Sequence, residues 1–227
     1  MQNYEEYLRL IYTGHERRDV DYKRDMPWDK ATKYRIIKDI LSFANYGGGY
    51  LVIGVAERDE GLGFDFTGVC SDNQKSWEVT AVSQSVNEYA EPAIDVSVVP
   101  ITDDKKQVCF VLLVIPSHGT TPHICKRDKN DHSGVLLLRK CALYYRTSNK
   151  SCEEISNVTD FRSLIRRCSV NDRAEILRDF YQIVIGVSKP TSETPRRGYD
   201  PLQMMDAFSR EAQKYQPNGL ENVESDE

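Results

Sequence analysis

Apolar residues recur with helical spacing at Tyr4, Tyr7, Leu8, Leu10 and Ile11, predicting a short N-terminal helix. Val20 and Tyr22 then alternate with Asp19, Asp21 and Lys23, the period of a strand. Tyr34, Ile37, Ile40, Leu41 and Ala44 fall on one face of a helix that Asp29 or Thr32 would cap. The unbroken run Tyr50 to Val55 predicts a buried strand. Asp72 is placed to cap one helix through Trp77, Val79, Val82, Val86 and Tyr89, ended by Pro92. Ile94 to Val99 and Gln107 to Ile115 read as a hairpin around Asp103 to Lys106, a turn without glycine. Residues 116–134 read as irregular. Val135 to Leu138 and Ala142 to Arg146 read as strands; Glu153, Val158 to Cys168 and Asn171 to Val184 read as helical.

Helices and strands interleave irregularly around at least one hairpin, so the predicted class is α+β with a mixed β-sheet packed with helices. Residues 1–187 are expected to form one domain. Residues 188–227 are expected to add a Pro- and Ser/Thr-rich linker, an amphipathic helix opened by Pro201 and an acidic tail. The longest apolar run, Val108 to Ile115, is eight residues, against the roughly 18 to 20 of a membrane span. The first residues carry acids and no apolar signal core, so a cytoplasmic location is expected, with the nucleus as the alternative.

Composition changes the picture in two places. The net charge of −5 excludes a protein that coats nucleic acid indiscriminately, yet residues 120–170 hold ten Lys and Arg against five acids. A phosphate-binding half-domain and an ordinary solvated surface both fit that asymmetry. The six cysteines include no C-x-x-C pair and read as reduced thiols; His123, Cys125 and His132 with later cysteines are the candidates for a structural Zn²⁺. None of the four histidines sits in a nucleophile motif, and no phosphate-binding G-x-x-x-x-G-K-[ST] loop is present.

The chemistry concentrates elsewhere. Glu16 and Asp21 stand five apart at the entrance to a strand, and Glu57 and Asp59 stand just past another. Carboxylates suit Mg²⁺ or Mn²⁺, and a convergent trio with Lys23 beside it would stabilise charge on a phosphodiester undergoing cleavage. Ordinary exposed acids at strand ends are the alternative. Gly47-Gly48-Gly49 closes a helix, which a tight C-cap explains; direct phosphate contact is the other reading. Tyr145, Arg146, Ser148 and Lys150 end a strand with donors and a stackable ring suited to a nucleic-acid backbone, while Ser151 and Glu154 have the spacing of a capping box.

The ordered set Glu16-x4-Asp21-Tyr22-Lys23, Ser42-Phe43-Ala44-Asn45-Tyr46-Gly47-Gly48-Gly49, Leu51-Val-Ile-Gly54-Val55-x-Glu57 and Leu143-Tyr144-Tyr145-Arg146-x-Ser148 resembles the Schlafen-type AlbA-like domain over residues 8–168. The resemblance implies a nucleic-acid-binding fold, and in some members a divalent-metal-dependent endoribonuclease acting on structured RNA such as tRNA. By position the family acids fall on Glu16, Asp21 and Glu57, with Asp59 as the fallback. Asp replaces the usual Glu at 21, Glu the usual Asp at 57, and Thr147 the usual glycine. The expected enzyme uses Glu16, Asp21 and Glu57 as metal ligands, Lys23 for the transition-state charge, and Arg146, Lys150, Tyr145 and Ser148 for RNA. The alternative is a non-catalytic DNA- or RNA-binding module serving as regulator or adaptor. A homo- or hetero-oligomer through the Met204-Met205 helix is a further expectation.

Overall fold

The computed structural model describes residues 2–58 and 63–185. The chain divides into two units, Met1–Asp172 and Arg173–Glu227. The predicted linker, last helix with Met204 and Met205, and acidic tail lie outside the described residues, as does Asp59. Among the described residues no helix is long and apolar enough to cross a membrane.

A four-stranded mixed sheet forms the centre, confirming the α+β class. Its order is β1 (Val20–Lys23), β2 (Gly49–Ile53), β7 (Val108–Ile115), β6 (Ser97–Asp103). β1 and β2 are parallel, which requires a crossover, and helix α2 (Lys33–Tyr46) supplies it. The other two pairings are antiparallel. β2 lies between two strands and carries apolar side chains on both faces. Leu51 and Ile53 face α2, while Val52 faces helix α1 (Gln2–Tyr12) and the small β3 (Ala56–Glu57)–β4 (Phe64–Asp65) hairpin.

The β6–β7 turn manages without glycine because Gln107 takes the left-handed conformation at φ 53° and the Asp103 carboxylate accepts the Lys105 and Lys106 N–H groups. Asp29 similarly orders the approach to α2, accepting from Ala31 and Thr32 N–H, whereas the Thr32 side chain makes no cap bond.

Four expectations need correction. The single helix from Asp72 is two, α3 (Ser71–Ser76) and α4 (Val79–Tyr89). Trp77 is anchored between them: its indole donates to Met26 O and its ring lies 5.2 Å from Trp28. Glu78 then caps α4 by accepting from Thr80 and Ala81 N–H, so Asp72 caps neither helix. Residues 116–134 are not wholly irregular, since β8 (Ile124–Cys125) pairs with β5 (Ala90–Glu91), and β9 (Lys129–Asn130) with β10 (Leu136–Leu138). The Ser151–Glu154 capping box does not form, because Cys152–Glu154 is strand β12, paired with β11 (Tyr144–Arg146). The helical start moves to Asn157, whose side-chain oxygen accepts Asp160 N–H, and α5 (Val158–Ile185) runs without the expected break.

The α2 face away from the sheet is covered by these ribbons. The buried Asn45 side chain donates to His123 O and Tyr144 O and accepts His123 N–H, so one amide joins α2 to two distant segments.

Gly54, just past β2, has φ 105°, and a Cβ there would stand 2.7 Å from the Gly68 carbonyl carbon, whose own N–H donates to Gly54 O. Gly54→Ala is expected to destabilise the fold by about 3 kcal/mol through backbone strain and overpacking, measured by urea unfolding.

Candidate functional site

Strand alternation decides the site. Val20 and Tyr22 enter the core on the α1 side, which turns Asp21 and Lys23 to the opposite face, under α2. There Asp21 is 3% exposed and two cations meet its carboxylate: Arg146 Nη2 at 3.1 Å from Oδ1 and Lys23 Nζ at 2.6 Å from Oδ2. Lys23 also lies 3.7 Å from Asp39 Oδ2, on α2. Arg146 Nη1 donates to Cys152 Sγ at 3.4 Å, directly across the β11–β12 ladder, and its guanidinium lies 4.8 Å from the Phe43 ring centre. Glu16 approaches Asp21 from the loop before β1.

Their proximity and burial shift five of these groups, Glu16, Lys23, Asp39, Arg146 and Cys152. Burial, then Asp21, raises the Glu16 carboxyl above its ordinary range, so in its protonated form it hydrogen-bonds Asp21. Burial also raises Asp39, against the opposing pull of Lys23. Burial alone would lower Lys23, but Asp39 and Asp21 outweigh it and hold the ammonium charged above its usual range. Burial and Asp39 push the Cys152 thiol up to about 12, so it stays neutral. Arg146 is raised too: burial works against its charge, and Asp21 and Cys152 together outweigh it.

The structure therefore gathers Glu16, Asp21 and Lys23 as expected and adds Asp39 and Cys152. Asp39 was detectable in principle, as an acid between Ile36 and Ile40 of an inward-facing helix. Cys152 gave no signal. Glu57 does not join them: it is exposed on β3, opposite Phe64, and makes no ion pair among the described residues. A divalent ion fits this arrangement poorly, since each Asp21 oxygen already faces a cation. Among the described residues no group of three or more His, Cys, Asp or Glu side chains is arranged to hold a metal ion. That includes the zinc candidates, where His123 is buried with Nδ1 2.8 Å from Pro92 O and Cys125 Sγ donates to Arg127 O.

The expected nucleic-acid contacts separate likewise. Arg146 is 2% exposed and Tyr145 1%, so neither reaches a ligand; both belong to the core. Ser148 is exposed and Lys150 half-buried in the β11–β12 turn, where both remain accessible. A different set of cations is accessible. Lys33 Nζ and Lys129 Nζ lie 5.1 and 4.6 Å from the Tyr34 ring centre, Lys38 Nζ lies 5.5 Å from that of Tyr144, and Arg18 and Arg167 lie 4.5 and 4.6 Å from that of Tyr46. Sequence reasoning missed them because their clustering depends on α2 meeting β9–β12 and α5.

Residues 16–153 match the family described as Schlafen, AlbA_2, a segment that begins at Glu16 and ends one residue past Cys152, enclosing the ion network. No curated protein matches the chain. Among solved structures the chain is similar to the N-terminal domain of a protein from Nitrosomonas europaea described as related to the ATP-dependent DNA helicase RecG. Identity is 17% and the TM-score 0.42, over 58% of this chain and 85% of that one.

Removing one partner of a buried ion pair strands the other. Arg146→Ala is expected to cost about 3 to 5 kcal/mol in urea unfolding, against less than about 0.5 kcal/mol for Ser148→Ala in the exposed turn. The raised Glu16 carboxyl contributes stability that is complete below its ordinary value of 4.5 and is lost as pH rises through its folded value. Glu16→Gln removes that fall, so relative to the parent the variant gains stability with rising pH above 4.5, as read from unfolding curves across the range.

Proposed function

The chain belongs to the Schlafen AlbA_2 family, a nucleic-acid-related family, and from that premise we propose that it is a binding domain for the phosphodiester backbone of nucleic acid. Structured, tRNA-like RNA is the proposed partner and DNA the alternative.

The observation that carries this reading is the set of cations around α2. Lys33, Lys38, Lys129 and Arg167 each stand against a tyrosine ring, and none has a carboxylate within 4.0 Å among the described residues. In a chain of net charge −5 such uncompensated cations mark where a polyanion is attracted. Tyr34 and Tyr46 are twelve residues apart on α2, about 18 Å at 1.5 Å per residue. Because cations already lie over these rings, base stacking is obstructed and phosphate contact is favoured. Binding of this kind is sequence-tolerant and salt-dependent.

A second reading, a divalent-metal-dependent endoribonuclease, is favoured by the contact of Glu16 with Asp21 and by Lys23 alongside. It is opposed by the closed ion network and by the separate position of Glu57. On the first reading these acids are structural.

Labelled tRNA, single-stranded DNA and duplex DNA, each incubated with the purified protein in Mn²⁺ or in EDTA, separate the two. The expected result is binding in both conditions, weakening steeply with salt, and no product. Product that forms only with Mn²⁺ and disappears in a folded Glu16→Gln variant would replace the first reading with the second.

A further inference from the structure

Two arginines from opposite ends of the domain share one ring. Arg18 comes from the loop before β1, Arg167 from α5, and Tyr46 is the last residue of α2. With both guanidinium carbons within 4.6 Å of the same ring centre, the two positive charges are no more than twice that distance apart. Tyr145 packs edge-on against the Tyr46 ring, centroid to centroid 5.8 Å at 68°. The next residue, Gly47, has φ 133°, and a Cβ there would stand 2.5 Å from Arg167 Nη1. The missing side chain thus leaves the space in which the guanidinium lies.

The charges are only partly compensated. Arg18 Nη2 donates to Arg146 O, which fixes its position, and lies 4.0 Å from Asp160 Oδ1, the edge of ion-pair range; its Nε–H has no acceptor among the described residues. Arg167 makes no ion pair among the described residues, and both side chains are partly exposed. Two planar donor forks seated on one ring, one without any acid among the described residues, favour an anion with several acceptor oxygens.

We propose that Arg18 and Arg167, held on Tyr46, form a clamp for a backbone phosphate of the bound nucleic acid. The inference rests on the binding function proposed above and assigns it to particular side chains. Residue 167 falls outside the matched segment 16–153, so half of the clamp is a feature of this chain beyond the family match. Asp160 is the competitor: it occupies part of the field of Arg18, and its removal strengthens binding.

Fluorescence anisotropy of one labelled oligonucleotide, as RNA and as DNA, tests the clamp in the full chain, with circular dichroism to verify folding. Arg167→Gln is expected to weaken binding to both by about tenfold, the loss of a charge-assisted contact. It should also reduce the slope of log affinity against log salt by about 1, which a purely structural role would not do. Asp160→Asn is expected to tighten binding, and Lys75→Gln, on α3, to leave it unchanged. Parental affinity and slope in folded Arg167→Gln would overturn the clamp while leaving the binding function intact. A parent that binds neither polymer would remove both. Displacement of the oligonucleotide by inorganic phosphate at an equal concentration of phosphate groups would overturn the polymer assignment and indicate a free-phosphate site.

Discussion

The buried pair of Asp21 and Arg146 is the contact on which the rest of the domain depends. The two residues are 125 positions apart in sequence, each is at most 3% exposed, and each would be costly alone in an apolar interior. Asp21 is placed by the sheet and Arg146 by the β11–β12 ribbon, so their meeting fixes the ribbon over α2. Lys23, Asp39, Glu16 and Cys152 then take positions that keep the local charge close to balance. A ladder partner across β11–β12 gives Arg146 a sulfur to donate to, and Phe43 gives its face an aromatic surface.

This arrangement divides the cations of the domain into two kinds. Arg146 and Lys23 are engaged by acids inside, where they support the fold. Arg18, Arg167, Lys33, Lys38 and Lys129 rest on tyrosines nearer the surface, where only Arg18 has an acid at the limit of pairing distance. Tyrosine is a useful seat for such a charge, since it restricts a long flexible side chain without neutralising it. Entropy otherwise lost on ligand binding is thereby lost in part during folding.

The architecture was legible because each main element carried its own period. The apolar face of α2, the continuous run of β2 and the β6–β7 pair lie close to where the pattern placed them. The failures were local competitions that periodicity does not record. Trp77 and Glu78 broke one helix into two, and pairing to β11 made a strand of Cys152–Glu154. For the site, Glu16, Asp21 and Lys23 were found together because strand alternation determines their side of the sheet. Arg146 and Tyr145 were identified as important but given the wrong role: charge and aromaticity suggest contact with a ligand, and only burial shows that they face inward. Asp39 was hidden within a helix already explained by its apolar face.

The Asn45 amide has a kinetic implication. It is satisfied only by His123 and Tyr144, 78 and 99 residues further along the chain. Until those segments arrive, α2 presents an unpaired polar group on a surface of exposed isoleucines, and closing so long a loop delays the reward for forming the helix. A chain lacking the segment that carries Tyr144 would hold an incomplete hydrophobic layer over α2. Folding of the domain is therefore expected to be a late, near-concerted event, completed when the ribbon docks on α2.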